Sequence, residues 1–224
     1  MLRAEKISKE FIRETKGTNR FAAVQETDFE ISDGQLAVIT GRSGSGKTTF
    51  LNMLAGLLTP TDGKVFLDGT DIYSLSDMEL SRLRNQKTGF IPQGQTAIHS
   101  LSVAENILLP YTLYGEYSED AEKYAYELME KLDIINLKDV RPSELSGGET
   151  RRMAIARALI KKPRIILADE PTGDLDDENT RTVFEFMKSI SENGASVIVV
   201  THETDSEKYA DRVFRMNGGI LSEK

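Results

Sequence analysis

The sequence predicts an α/β domain built on a mainly parallel β-sheet. Short runs of β-branched and aliphatic residues recur along the 224 residues, and most are apolar throughout, as is typical of strands covered on both faces. Helical patterns separate several of these runs, and such strand–helix alternation indicates parallel pairing. A chain of this length suits one sizeable core and is short for two ordinary domains. We therefore expect a single domain over residues 1–224.

Six apolar runs are expected to be strands. They are LAVIT (36–40), KVFLD (64–68), TGFI (88–91), RIILAD (164–169), SVIVVT (196–201) and RVFRM (212–216). The first 35 or so residues partly alternate between apolar and polar, which favours an antiparallel sheet at one edge, and TKGTNR (15–20) is expected to be its hairpin loop.

Three longer segments have helical patterns: TTFLNMLAGLL, EDAEKYAYELMEKLDI and ENTRTVFEFMKSISENG. The last ends at Gly194, a plausible residue just past a helix C-terminus. No strand pattern occurs between Gln93 and about Leu159, so we expect an inserted helical subdomain over residues 93–159.

Composition narrows the classes of function. The chain has 28 Lys and Arg against 36 Asp and Glu, a formal charge of −8, which argues against a sequence-independent nucleic-acid binder. It has no cysteine, and therefore no disulfide framework or thiolate metal site. The charged start, MLRAEKISKE, lacks the apolar region of a secretory signal, and no apolar run approaches the ~20 residues of a spanning helix. We therefore expect a soluble chain whose membrane role, if any, requires a partner.

A phosphate-binding loop follows the first core strand. LAVIT runs into GRSGSGKTTF (41–50), which matches G-x-x-x-x-G-K-[ST] between a strand and a helix, as the mechanism requires. The glycines allow backbone N–H groups to surround a phosphate, and the helix N-terminus adds partial positive charge. Lys47 is expected to bridge the β- and γ-phosphates, Thr48 to bind Mg²⁺ and Thr49 to reach the α-phosphate. The predicted loop residues are Gly41, Arg42, Ser43, Gly44, Ser45, Gly46, Lys47, Thr48 and Thr49. The sequence thus predicts a P-loop NTPase core that binds a nucleoside triphosphate.

Two carboxylates follow another buried strand. IILA (165–168) leads directly to Asp169 and Glu170, at the sheet edge where ligands of parallel sheets bind. Asp169 suits Mg²⁺, a hard cation that prefers oxygen, and Glu170 is placed to act as general base toward an attacking water. The pair predicts hydrolysis of the bound nucleotide.

A second glycine pair lies a hundred residues after the phosphate loop, in LSGGE (145–149), ahead of the helical stretch RRMAIARALI. Glycines at a helix N-terminus resemble an anion site. One domain gains little from a second such site unless it serves a nucleotide held by another copy. A twofold dimer, in which each site takes the loop from one subunit and the glycine pair from the other, meets that requirement.

Taken together, these motifs resemble the nucleotide-binding subunit of ABC transporters over essentially the whole chain. They stand in family order: GRSGSGKT (41–48), Gln93 in FIPQ, LSGGE (145–149), IILADE (165–170), GDLD (173–176) and His202 in VVTHE. The resemblance implies a homodimer that closes on ATP and Mg²⁺, and an integral-membrane permease as partner at the inner face of the cell membrane.

The resemblance also implies a role for each motif residue. Gln93, Glu170 and His202 would be catalytic, and Gln93 would join Thr48 and Asp169 around Mg²⁺. Phe11 would stack on adenine and Asp176 would cross the dimer interface. The residues implied to contact the nucleotide of the facing subunit are Ser146, Gly147, Gly148 and Glu149.

Glu149 and the following Thr150-Arg151-Arg152 depart from the commonest family pattern. Glu at this position, LSVAENILLPYTLYG and ADEPTGDLD resemble the subgroup that exports macrolides or antimicrobial peptides or releases lipoproteins. In that subgroup some members perform mechanical work on the permease without transport. A soluble ABC ATPase acting on ribosomes or DNA remains an alternative, although this chain has neither a second ATPase domain nor a long coiled-coil insertion. A P-loop GTPase or small-molecule kinase would leave LSGGE and His202 unexplained.

Overall fold

The computed structural model describes residues 1–15, 17–94, 96–173 and 175–224, without the side chains of residues 13–19 and 177. Its larger sheet has six strands: β3 (Leu36–Thr40), β6 (Thr88–Ile91), β7 (Ile165–Asp169), β8 (Ser196–Thr201), β9 (Arg212–Asn217) and β10 (Ile220–Glu223). Their spatial order is β10-β9-β3-β8-β7-β6, and every neighbouring pair is parallel except β9 and β10. The prediction of a mainly parallel sheet is confirmed.

The second sheet is antiparallel. It contains β1 (Leu2–Thr15), β2 (Gly17–Ile31), β4 (Asp62–Leu67) and β5 (Thr70–Asp71), in the order β2-β1-β4-β5. The predicted edge sheet is therefore confirmed, and KVFLD belongs to it instead of to the parallel sheet. In that run Val65 and Leu67 are buried while Lys64 is exposed, because one face of this strand is open to solvent.

The hairpin between β1 and β2 is tighter than the sequence suggested. The two strands stay paired to their ends, with Glu14 opposite Thr18 and Thr15 opposite Gly17. The expectation of a loop over residues 15–20 was therefore wrong, and Lys16 lies outside the described residues. Farther from the turn the pairing places Phe11 opposite Phe21, which brings two aromatic residues side by side.

The described residues form six α-helices beside the sheets. They are α1 (Lys47–Leu54), α2 (Asp77–Lys87), α3 (Val103–Thr112), α4 (Glu119–Lys131), α5 (Gly147–Leu159) and α6 (Asp177–Glu192). Gly194 has φ 99° just past α6, as predicted. Helix α2 was not predicted, because none of its residues is fully buried and its apolar face is narrow, with only the half-buried Leu80 and Leu83 packed against the core. It begins with a capping box between Ser76 and Glu79. None of these described helices is long and apolar enough to cross a membrane.

The parallel sheet is covered on both faces. In β3, Leu36 and Val38 pack into a core with α3 to α6, whereas Ala37 and Ile39 pack into a second core with α1 and the antiparallel sheet. This double burial explains why the strand is apolar at every position. In the described residues between Pro92 and Arg164 the regular structure is helical, with α3 to α5 packed against the first of these cores.

Strand register places the candidate functional residues at one edge of the sheet. Thr40 of β3 lies opposite Thr201 of β8, Asp169 of β7 opposite Val200, and Ile91 of β6 opposite Ala168. The four strands therefore end together at their carboxyl ends, which is where ligands bind in such sheets.

Candidate nucleotide site

The phosphate loop is packed so closely that two of its residues must be glycine. Gly46 has φ 105°, and a Cβ there would lie 2.2 Å from the main-chain oxygen of Ala23. A Cβ on Gly41 would lie 2.3 Å from the main-chain oxygen of Met216. The loop is thus packed between β2 and β9.

Replacing Gly46 by Ala is expected to abolish measurable nucleotide binding and to lower the melting temperature, because the loop or Ala23 must move. A matched control is Gly69→Ala, since Gly69 also has positive φ (82°) but no atom within 4 Å of its Cβ position. The control should cost only about 1 kcal/mol of conformational strain and leave nucleotide binding unchanged. Titration with a fluorescent nucleotide and thermal unfolding measure both effects. If Gly46→Ala and Gly69→Ala had the same nucleotide affinity and the same melting temperature, the packing argument would be contradicted.

Lys47 begins α1 and points back into the loop. Its Nζ donates hydrogen bonds to the main-chain oxygens of Gly41 at 2.7 Å and Arg42 at 3.2 Å, and it lies 3.9 Å from Glu170 Oε1. The lysine is buried, so its charge acts where water screens it little. This places a cation between the phosphate loop and the carboxylate predicted to act as general base.

Glu170 is held by three contacts from two residues, Thr201 and His202. Its Oε2 accepts hydrogen bonds from the Thr201 hydroxyl at 2.9 Å and the His202 N–H at 3.3 Å, and it lies 3.0 Å from His202 Nδ1. Its backbone has φ 48°, in the left-handed region. Glu170 itself is buried whereas the His202 side chain is 63% exposed. The structure therefore brings Glu170, His202 and Lys47 together.

Asp169 precedes Glu170 and ends strand β7, where it is 2% exposed. Burial raises the pKa of Asp169 above its ordinary value, the charge of Glu170 adds to this, and a hydrogen bond from the Thr48 hydroxyl opposes it. Its Oδ1 is buried and finds no hydrogen-bond partner among the described residues. A buried oxygen of this kind is what a hard cation or its water would satisfy.

A cleft of about 690 Å³ lies over these groups. Its lining residues are Phe11, Phe21, Ala22, Ala23, Ser43, Gly44, Gly46, Lys47, Thr48, Thr49, Gln93, Glu170, His202, Gly218 and Gly219. The predicted residues Gly41, Arg42, Ser45 and Asp169 belong to the loop or to the strand end but are not part of this lining. The cleft thus joins the phosphate loop to the aromatic hairpin at one end and to Glu170 at the other.

Sequence reasoning missed part of that lining. Phe21 stacks on Phe11 with 5.8 Å between ring centres, and only the hairpin pairing reveals that the two rings meet. The Gly218–Gly219 turn reaches the loop because the Gly219 N–H donates to the main-chain oxygen of Ser45 at 2.9 Å. Thr201 was also missed; it bonds Glu170 without lining the cleft, and its signal in the sequence is that it is the polar residue ending an otherwise apolar strand.

LSGGE does not line this cleft in the chain that carries it. Ser146 caps α5, its hydroxyl accepts from the Glu149 N–H at 3.3 Å, and Glu149 Oε2 accepts from the Ser146 N–H at 2.7 Å. The Ser146 N–H and hydroxyl together lower the pKa of Glu149. Gly147 and Gly148 form the first helical turn, and a Cβ on Gly148 would lie 3.2 Å from Leu175.

Asp176 lies beside this helix end. It caps α6 by accepting from the Asn179 N–H at 2.8 Å, and Arg152 of α5 donates to Asn179 Oδ1 at 3.0 Å. The structure therefore links the LSGGE helix to the GDLD segment, of which Asp174 lies outside the described residues. Neither Ser146–Glu149 nor Asp176 lines the described cleft.

Comparison with known proteins identifies the family. The family described as ABC transporter matches residues 24–173. The lipoprotein-releasing system ATP-binding protein LolD of Xanthomonas axonopodis pv. citri is 38% identical over 224 residues, covering 100% of this chain and 91% of that protein. LolD of Hydrogenovibrio crunogenus is 39% identical over 220 residues, covering 98% and 94%.

Solved structures agree with this. The dimeric structure of MJ0796, a bacterial ABC transporter cassette, has a TM-score of 0.91 at 32% identity, covering 100% of this chain and 98% of that one. A dimeric post-hydrolysis state of the same cassette bound to ADP and Pi has a TM-score of 0.90 at 32% identity, with the same coverage. The resemblance inferred from the motifs is thereby confirmed, and this chain belongs to the ATP-binding, ATP-hydrolysing subunits of the ABC transporter family.

Proposed function

We propose that two copies of this chain close on ATP and drive a separate membrane permease, with Glu170 as the general base. The observation that supports this most directly is the position of Glu170, whose Oε1 lies 3.9 Å from the phosphate-loop Lys47 while Thr201 and His202 hold its Oε2. This leaves Oε1 as the carboxylate oxygen on the phosphate side. A base fixed in this way needs little reorganisation when it accepts a proton.

In the proposed reaction the phosphate loop and Lys47 bind the β- and γ-phosphates. Phe11 with Phe21 offers a flat surface on which the adenine ring of the nucleotide can stack. Glu170 accepts a proton from a water molecule as the water oxygen bonds to the γ-phosphorus. The bond from that phosphorus to the bridging oxygen breaks, which leaves ADP and phosphate. Charge on the γ-phosphate oxygens is met by Lys47 and by loop N–H groups.

Magnesium fits the same edge of the sheet. The described residues contain no group of three or more His, Cys, Asp or Glu side chains placed to hold a metal alone, and Mg²⁺ commonly uses one or two carboxylates plus substrate phosphates. The partnerless Oδ1 of Asp169, the Thr48 hydroxyl and the Gln93 amide would hold it. When bound, Mg²⁺ would neutralise charge on the phosphates.

The dimer is supported by LSGGE and by the solved relatives. Ser146 and the N–H groups of the helix that it caps do not line their own cleft, and a helix N-terminus with small residues suits phosphate binding. The MJ0796 cassette is described as dimeric in both structures. We infer that Ser146 to Glu149 of one copy contact the γ-phosphate in the other, with Asp176 at the same interface.

The partner and substrate are inferred from the relatives. Because proteins 37–39% identical to this chain are lipoprotein-releasing ATP-binding subunits, we infer that this chain binds a permease at the inner face of the cell membrane. The substrate class would be a protein with a covalent lipid anchor, extracted from the membrane.

Affinity purification of the tagged full-length chain from host membranes tests this function. An integral-membrane permease should co-purify, and depletion of the chain should leave lipid-anchored proteins in the membrane of origin. Co-sedimentation with ribosomes in place of a permease would reject the transport role. A permease complex whose loss does not change lipoprotein distribution would reject only the substrate class.

A further inference from the structure

Arg151 is a buried arginine that the proposed mechanism has not used. It lies on α5, five residues after Ser146, in the stretch where the sequence departs from the usual family pattern. It is 5% exposed. A buried guanidinium is costly unless its N–H groups find acceptors, so the partners of Arg151 show what this position does.

Two of those partners are main-chain oxygens from different loops of the nucleotide site. Arg151 Nη1 donates to the Pro92 oxygen at 2.7 Å, and Nη2 donates to the Glu170 oxygen at 3.0 Å. Pro92 directly precedes Gln93. The planar fork of arginine presents separate N–H groups in fixed directions, which neither lysine nor glutamine reproduces.

The Glu170 carbonyl needs such support. Glu170 has φ 48°, and residues in this region keep their conformation only when their surroundings enforce it. The Gly173 N–H donates to the same oxygen at 3.3 Å, so Arg151 supplies the shorter of these two hydrogen bonds. A change in the Glu170 backbone at its Cα would shift the direction of the Cα–Cβ bond, and with it the carboxylate that lies near Lys47 and His202.

We propose that Arg151 is a positioning residue for ATP hydrolysis. It fixes the Glu170 backbone and the start of the Gln93 segment with one guanidinium, and so sets the orientation of the general base. Since Arg151 belongs to the helix that begins at Ser146, a shift of α5 on dimer closure also reaches Glu170 of the same chain. The inference rests on the proposed role of Glu170.

The test compares Arg151→Gln with Arg157→Gln in the full-length chain. Arg157 lies on the same helix and donates to Thr96 Oγ1 at 2.7 Å and Thr96 O at 2.9 Å, so it is matched for helix and for hydrogen bonds. Arg151→Gln should lower kcat about 10- to 100-fold, as expected for a misplaced catalytic group, with KM and nucleotide Kd for ATP within about twofold. Arg157→Gln should keep kcat near wild type.

Chemical rescue separates positioning from a loss of fold. Guanidinium ion at non-denaturing concentration should raise kcat of Arg151→Ala several-fold and leave Glu170→Gln inactive. Should Arg151→Gln or Arg151→Ala not fold, Arg151→Lys, which keeps the charge but not the fork, should fold and still show the kcat loss at unchanged KM.

Wild-type kcat in Arg151→Gln or Arg151→Lys, or a kcat loss matched by an equal loss of ATP affinity, would overturn the proposal. The proposed function is tested separately, because it requires Glu170→Gln to be inactive whether or not Arg151 is replaced.

Discussion

Glu170→Gln is expected to lower ATP turnover by about 100-fold or more, the usual contribution of a general base, while ATP binding persists. The amide oxygen can still accept from Thr201 and from the His202 N–H, so the local structure should remain. What disappears is the basic oxygen near Lys47. Blocked hydrolysis with intact binding should trap the ATP-bound dimer, visible by size-exclusion chromatography with multi-angle light scattering in the presence of Mg²⁺ and ATP.

Glu203→Gln provides the matched control for the change from acid to amide. Glu203 lies on the same loop as His202, but its carboxylate accepts from the Thr172 hydroxyl at 3.1 Å and does not line the described cleft. Its turnover should stay within about twofold of wild type, since no transition-state contact is lost. Normal turnover in Glu170→Gln would reject Glu170 as the base. A hydrolysis-blocked variant that stays monomeric at high concentration with its permease supplied would reject the dimer.

The residues at the carboxyl edge of the sheet were predictable from the apolar strand runs, from their alternation with helices, and from the glycine spacing of the phosphate loop. Runs such as VIVV (197–200) are apolar throughout only where a strand is covered on both faces, and parallel strands place their carboxyl ends on one side. Asp169 and His202 could therefore be assigned to one edge before the strand order was known. Lys47 followed from the loop pattern, in which the glycines are required by close backbone approach.

The rest depended on pairings that no single stretch of sequence records. Phe21 faces Phe11 only because the hairpin stays paired to its tip, and Arg151 meets Pro92 and Glu170 across 59 and 19 residues of chain. Helix α2 has only a narrow apolar side, formed by the half-buried Leu80 and Leu83, so its periodicity was too weak to detect. Contacts set by tertiary packing are the ones that sequence reasoning missed.

Ser146→Leu should reduce ATP hydrolysis about 100-fold or more, comparable with removing a donor from a transition-state charge, while nucleotide affinity of the monomer stays within about twofold. The serine begins α5 away from its own cleft, so a bulky side chain there would block the nucleotide of the facing copy without touching its own. Steady-state ATPase assays at high protein concentration and nucleotide titration at low concentration measure the two effects separately.

The matched control for Ser146→Leu is another capping box of the same chain. Ser76 caps α2 with the same arrangement, its N–H donating to Glu79 Oε2 at 2.9 Å and its hydroxyl accepting from the Glu79 N–H at 3.4 Å. Ser76→Leu should cost the same ~1 kcal/mol of helix capping and leave hydrolysis intact, because α2 has no glycine pair and no place in the proposed interface. If Ser146→Leu instead weakened nucleotide binding in the monomer, LSGGE would act on its own subunit. Equal loss of activity in both variants would mean that capping alone, and not a contact across the dimer, accounts for the serine.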